Sequence, residues 1–222
     1  MTKSDSQKNV FLDGAGDEWL RRNPSSNDNP LDQFDDIIIR TVGNAESIVE
    51  VGCADGRRLS RLFEHLGKPS RIAGVDPSHE AITAARNRFS NFNFHVGTAD
   101  NLPLTDRYNV VILGFCLYLC DRDLLPTIVA EADRLLEDNG TLVIIDFDPT
   151  GPRQRNFKHH DGVWSYKMDY SQLFLSFPQY VLANKASMSH RSAQFEVEEN
   201  ERVAVWILKK NLSGGYSTES DT

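Results

Sequence analysis

The 222 residues carry 24 Lys and Arg against 32 Asp and Glu, a net charge of -8, with 40% hydrophobic and 25% charged residues. These proportions are ordinary for a soluble globular chain, long enough to bury a core without metal or disulfide staples. The acidic balance disfavours a general binder of duplex nucleic acid, which gains affinity by releasing phosphate counterions. No apolar run approaches the roughly 20 residues that span a bilayer. Met1–Ser6 lacks the apolar block of a secretory signal, so a cytoplasmic protein is expected. Cys53, Cys116 and Cys120 form no CxxC pair and have no zinc-like His spacing, so they read as reduced thiols and no metal site is assigned.

Residues 1–10 and 211–222 are polar tails expected to be poorly ordered. A polar stretch, Asn23–Pro30, separates two short helical candidates, the second with Leu31, Phe34, Ile37 and Ile38 on one face and Gly43 as its stop. From Ser47 the pattern becomes strand and helix in alternation. Ile48–Val51 is a strand ended by Gly52, and Leu59, Leu62, Phe63 and Leu66 follow at helical spacing. Arg71–Asp76 is the next strand, after which Ser78 caps a helix with Ala81, Ile82, Ala85 and Phe89 on its inner face. Phe92–Val96 and Tyr108–Leu113 are the third and fourth strands, the fourth apolar on both faces as a central parallel strand requires. A long amphipathic helix from Leu124 to Leu136 turns at Asp138-Asn139-Gly140 into a fifth strand, Thr141–Phe147. This order implies a parallel sheet with right-handed crossovers and helices on both faces. The last third breaks the rhythm: a helix over Asp169–Phe177 precedes two strands, Tyr180–Met188 and Arg202–Lys209, whose short polar link makes them antiparallel neighbours.

In a doubly wound sheet, ligands sit beyond the carboxyl ends of the strands, where strand order reverses. The first such end is Glu50-Val51-Gly52-Cys53-Ala54-Asp55-Gly56, and the second ends in Asp76, whose carboxylate can accept both hydroxyls of a ribose diol. Dinucleotides and S-adenosylmethionine both use this arrangement. A GxGxxG fingerprint needs glycine at 52, 54 and 57, where this chain has Gly52, Ala54 and Arg57. Glu50 would repel a pyrophosphate but suits the ammonium of a zwitterionic amino acid. Asp100, past the third strand, can accept the amino group of an adenine. Three acidic residues at successive strand ends therefore suit adenosine joined to methionine.

Residues 47–148 resemble the catalytic domain of class I S-adenosylmethionine-dependent methyltransferases, on the glycine turn Glu50–Gly56, the segment Gly74-Val75-Asp76-Pro77-Ser78, the segment Gly97-Thr98-Ala99-Asp100, and the fourth and fifth strands. The resemblance implies an α/β fold: a Rossmann-like, doubly wound, seven-strand sheet, mostly parallel with a C-terminal antiparallel hairpin. It places cofactor contacts at Glu50, Gly52, Cys53, Ala54 and Gly56, at Asp76, Pro77 and Ser78, at Ala99, Asp100 and Asn101, and at Leu113, Gly114 and Phe115. S-adenosylhomocysteine would be the product. Ala54 replaces the middle glycine, and Asn109 stands where the family often has aspartate and is given no role. A narrower resemblance joins Phe11–Asn23 to a Gly-Asp-x-aromatic-x-x-Arg-Asn box of bacterial methyltransferases of sugar and glycan biosynthesis, including those associated with pseudaminic acid. It implies a lid over the cofactor, with Trp19 as an aromatic wall and Arg22 on the methionine carboxylate.

The expected organisation is a lid segment over 1–46, a methyltransferase domain over 47–210 with an acceptor-side insertion at 151–180, and a disordered tail over 211–222. Methyl transfer from a sulfonium needs alignment and exclusion of water, and a hydroxyl acceptor also needs a base. The insertion is dense in His, Tyr, Trp and charge, and His159 or His160 is the first choice of base, with Tyr166 as an acceptor contact. The expected acceptor is a small polar molecule such as a nucleotide sugar, methylated on O or N by a monomer or homodimer. The rivals are a protein methyltransferase, a silent cofactor-binding partner protein and, more distantly, a nicotinamide oxidoreductase.

Overall fold

Alternate residues along each strand face opposite layers, and the apolar residues of this chain sort accordingly. The computed structural model describes residues 6–23 and 31–216. Its strands β1 (Ser47–Val51), β2 (Arg71–Asp76), β3 (Asn93–Val96), β4 (Tyr108–Gly114) and β5 (Leu136–Phe147) run parallel, and β8 (Tyr180–Ser189) and β9 (Arg202–Lys210) complete a seven-stranded sheet in the order β3-β2-β1-β4-β5-β9-β8. β9 lies antiparallel to both β5 and β8. This is the α/β, Rossmann-like sheet expected from the sequence. The order reverses between β1 and β4, which puts the switch point there.

On one face, Ile48, Ile72, Ile112, Val143 and Val205 pack against α3 (Gln33–Val42), α4 (Arg57–His65) and α5 (His79–Arg88) through Phe34, Ile38, Leu59, Leu62, Ile82 and Ala85. On the other, Val49, Val75, Leu113, Ile144 and Trp206 meet α6 (Leu125–Leu135) and the short α7 (Gln172–Leu175) through Ile128, Ala132, Leu135 and Phe174. Local chemistry sets the helix starts: Asp32 forms a capping box with Asp35, and the Ser78 hydroxyl accepts from Ala81 N at 3.0 Å. Asn109 ties β1 to β4, because its Oδ1 accepts from the backbone N–H of Glu46 and Ser47 while its Nδ2 donates to Glu137 at 2.6 Å. No helix among the described residues is long and apolar enough to cross a membrane.

Three segments depart from the sequence expectations. Gln7–Val10 is helical (α1), continuing through a π turn at Phe11–Ala15 into α2 (Gly16–Arg22), where a disordered tail was expected to Val10. The reason is distant: the Asp121 carboxylate accepts from Gln7 N and Lys8 N, each at 3.0 Å, capping a helix 114 residues away. Within 151–180 the chain forms a hairpin, β6 (Arg153–Asn156) with β7 (Trp164–Lys167), before α7, which is only one turn of the longer helix expected. Residues 211–216 turn back, Asn211 N donating to Gln179 O at 2.8 Å and Leu212 N to Asp138 at 2.8 Å. The rest of the tails expected to be poorly ordered, 1–5 and 217–222, and residues 24–30 of the polar stretch between the first two helical candidates, lie outside the described residues.

Candidate active site

At the switch point the turn after β1 must pass under the end of β4. A Cβ on Gly52, which has φ +79°, would lie 2.6 Å from the Gly114 carbonyl oxygen, so only glycine permits this approach. Ala54 also has positive φ, 46°. Its N–H donates to Asp76 Oδ2 and the Ser78 N–H to Asp76 Oδ1, both at 2.9 Å. A carboxylate has about four acceptor sites, so each Asp76 oxygen keeps one for a ligand. Burial pushes the Asp76 carboxyl up to about 6, against the pull of those two N–H groups.

Above this turn lies an open cleft whose empty space, including the part continuous with solvent, is about 880 Å³. Gly52, Ala54, Asp76, Pro77, Ala99, Asp100, Gly114 and Phe115 line it from the sheet. Lys8, Phe11, Gly16 and Trp19 close it from the N-terminal segment, and Cys116, Leu119 and Cys120 from the turn after β4. The segment is pinned at both ends. Asp121 holds its start, and the Asp17 carboxylate accepts from Ser78 Oγ at 2.5 Å and Glu80 N at 3.1 Å. Gly16 lets the backbones touch: a Cβ there would lie 3.2 Å from Ser78 N.

Glu50 lies beneath the glycine turn, 1% exposed and outside the cavity lining. Arg58 Nη1 donates to its Oε1 at 2.7 Å, and its Oε2 is buried without a partner. Burial raises the Glu50 carboxyl and Arg58 opposes that rise. Arg58 also pairs with Asp35 at 3.2 Å, and Arg61 with Asp35 at 2.5 Å and Asp32 at 3.1 Å. This buried lattice fastens α3 to α4 and fixes the floor under the turn.

Several residues expected at the cofactor lie elsewhere. Cys53 points into the core, 2.7 Å from where a Gly74 Cβ would be. Gly56 is glycine because a Cβ there would strike Phe94 at 2.5 Å, and Leu113 is a core residue. Ser78 caps α5, and Asn101 bridges to Thr98. Arg22 turns to Glu18 at 3.4 Å, away from the cavity, because both lie on one exposed helix face. Asp100 does line the cavity, where it accepts from Lys8 Nζ at 2.6 Å. His159 and His160 sit between β6 and β7; His159 packs its edge on Phe157, and His160 Nδ1 contacts Asp161 O at 2.9 Å. Neither lines the cavity, and Tyr166 instead carries the Arg122 guanidinium over its ring at 4.4 Å. Phe11 and Gly16 belong to the box read as a lid, whereas Lys8 was missed because nothing in the linear pattern joins residue 7 to residue 121.

A methyltransferase-domain family pattern matches residues 43–199, well over half of the chain. The demethylmenaquinone methyltransferase of Thermotoga maritima is 27% identical over 113 residues, covering 50% of this chain and 48% of that protein. The chain spans about a third to a half of the length of the curated relatives it matches. Among solved structures, the 1,6-didemethyltoxoflavin-N1-methyltransferase of Burkholderia thailandensis, with bound 1,6-didemethyltoxoflavin and S-adenosylhomocysteine, superposes with a TM-score of 0.67 at 16% identity, over 92% of this chain and 87% of that one. The N-methyltransferase NodS of Bradyrhizobium japonicum, in complex with S-adenosylhomocysteine, gives 0.60 at 16% identity over 93% and 99%. The reversal at β1/β4, the glycine cradle, the acidic end of β2 and the matched family pattern lead to one conclusion: the chain belongs to the family of class I S-adenosylmethionine-dependent methyltransferase domains.

Proposed function

We propose that this protein transfers a methyl group from S-adenosylmethionine to an oxygen or nitrogen of a small polar acceptor. The observation that carries the reading is unmet acceptor capacity at two carboxylates: one site on each oxygen of Asp76 and the partnerless Oε2 of Glu50. Asp76 would hold the ribose hydroxyls. Glu50, buried beneath the Gly52 cradle and paired with Arg58, would turn its partnerless Oε2 towards the methionine ammonium above that cradle. Trp19 and Phe11 would cover the nucleoside from the lid side, excluding water from the transfer. When bound, the sulfonium supplies an electrophilic methyl whose bonding pair remains with sulfur. The chain's own part is to align the acceptor and receive its proton.

A nucleotide sugar or other glycan precursor is the finer form of this reading, and its only support is the Phe11–Asn23 box. The conspicuous side chains of that box are spent on the lid: Asp17 caps α5, Trp19 lines the cavity, Arg21 pairs with Glu80 and Arg22 with Glu18. The box therefore serves the cofactor side and leaves the acceptor open within the class of small polar molecules.

Calorimetric titration with S-adenosylmethionine and S-adenosylhomocysteine tests the cofactor assignment. Transfer of a labelled methyl group to a panel of phenols, amines and nucleotide sugars tests the acceptor class. Failure of the folded protein to bind either nucleoside at millimolar concentration refutes the proposal.

A further inference from the structure

One face of Phe115 closes the cofactor cavity, and the same ring belongs to a second aromatic group beyond it. Phe115 meets His190 edge-on at 5.3 Å and Phe147 at 6.3 Å; Phe147 and His190 are near parallel, 14° apart, with centroids 6.4 Å apart. Tyr118 stands edge-on to Phe147 at 5.1 Å. These rings come from the ends of β4, β5 and β8, the side of the sheet on which the cofactor cavity opens. Asp146, wholly buried, fixes two of them by accepting from Tyr118 N at 3.2 Å and Phe147 N at 2.8 Å. His190 is held by its own backbone: its N–H donates to Glu201 O at 3.1 Å, and Gln33 Nε2 donates to Ser189 O at 3.3 Å. Lys167 of β7 places its ammonium 3.6 Å from the Phe147 ring centre and donates to Asn200 O at 2.5 Å.

We propose that this ring group is the acceptor's seat, that the acceptor is a planar, ring-bearing molecule with a weakly acidic O–H or N–H, and that His190 takes its proton. The inference rests on the methyltransferase reading and deepens it. Flat aromatic walls select a flat occupant through stacking and edge contacts. His190 keeps an edge open to solvent while Phe115 and Phe147 shield its ring. The charged groups acting on it are Glu201, which favours its cationic form, and Arg191 and Lys167, which oppose it. Desolvation against the rings is the largest influence, and the net effect holds the imidazole below its ordinary range, which favours the neutral form with one ring nitrogen open to a proton. The proton balance is simple. As the acceptor's lone pair forms the new bond to carbon, its O–H or N–H proton passes to the free ring nitrogen of His190, and then to solvent through the open edge.

The test uses p-nitrophenol, a planar phenol whose ionisation is visible, with the full-length protein saturated with S-adenosylhomocysteine. Binding is expected to shift the p-nitrophenol absorbance band towards that of the phenolate and to perturb the His190 ring resonances of [13C]-histidine-labelled protein, as a hydrogen bond from the phenol O–H to the neutral imidazole requires. His190→Gln should abolish both signals and leave S-adenosylhomocysteine affinity unchanged, which also shows that the variant folds. His160→Ala should change neither. With any acceptor methylated in the panel above, His190→Gln should lower kcat about 10²-fold and remove the acid limb of the pH profile. Lack of p-nitrophenol binding at millimolar concentration, an equal absorbance shift in His190→Gln, or full turnover in that variant would each overturn the proposal. If S-adenosylhomocysteine itself fails to bind, the methyltransferase reading is what has failed.

Discussion

Asp76→Ala is the most direct probe of the cofactor site. Asp76 fastens two turns through the N–H groups of Ala54 and Ser78 and keeps one acceptor site per oxygen for the ribose. Hydrogen bonds to a charged acceptor contribute about 1.5–3 kcal/mol each, but water entering the emptied site offsets part of that. A net loss of about 1.5–3 kcal/mol corresponds to a Kd for S-adenosylhomocysteine raised about 10- to 150-fold. Calorimetry would read this directly, with far-ultraviolet circular dichroism confirming that the variant is folded. A pH series adds an independent signature. The Asp76 carboxyl lies at about 6 in the folded protein, raised by burial, so it is ionised above that pH and protonated below. Only the ionised form offers both oxygens as acceptors, so affinity should hold above about pH 7 and fall as pH drops through 6. That pH-dependent loss should be absent from Asp76→Ala. A folded Asp76→Ala protein with unchanged Kd would refute the ribose assignment and the lone-pair argument behind it.

Three further outcomes follow from the same geometry. Gly52→Ala combines a left-handed backbone, which costs an L-residue about 1–2 kcal/mol, with a methyl 2.6 Å from the Gly114 carbonyl. Its melting temperature should fall and its cofactor binding should be lost in differential scanning fluorimetry with ligand. Arg58→Met leaves Glu50 and Asp35 as buried, underpaired carboxylates, for which about 3–5 kcal/mol of destabilisation is expected in urea unfolding; a loss under 1 kcal/mol would mean that the lattice is not structural. Arg22→Ala should leave S-adenosylhomocysteine affinity unchanged within a factor of about 2, since among the described residues its guanidinium pairs with Glu18 at an exposed site. A tenfold loss in calorimetry would restore it to the methionine carboxylate.

The strands and the helices that cover them were legible in the sequence because both obey short periods. The near-continuous apolar run of β4 marks a strand buried on both faces, and the Leu59/Leu62 spacing marks a helix facing inward. The turn at Gly52 and the acid at Asp76 were legible for a local reason too: close backbone approach and diol recognition each demand a residue type at a strand end. Chemistry that depends on residues distant along the chain was not legible. Gln7 and Lys8 read as tail until Asp121 caps them, and Lys8 reaches Asp100 only because that cap exists.

The histidines show the same division. His159 and His160 attracted attention through their neighbours in sequence, yet the β6–β7 pairing carries them away from the cavity. His190 lies in a polar link with no local signature, and the antiparallel return of β8 and β9 brings it against Phe115 and Phe147. Arg22 was matched to a motif, but the helix that bears it turns it to Glu18. Sequence alone determined the strands, the glycine turn after β1 and the carboxylate at the end of β2, since each follows from hydrophobic period or from the stereochemistry of a single turn; the strand order, with its reversal between β1 and β4, is a property of the folded sheet. Tertiary structure decided which side chains share the cavity, because a side chain's surroundings are set by the strands and helices that pack beside it, wherever in the chain they come from.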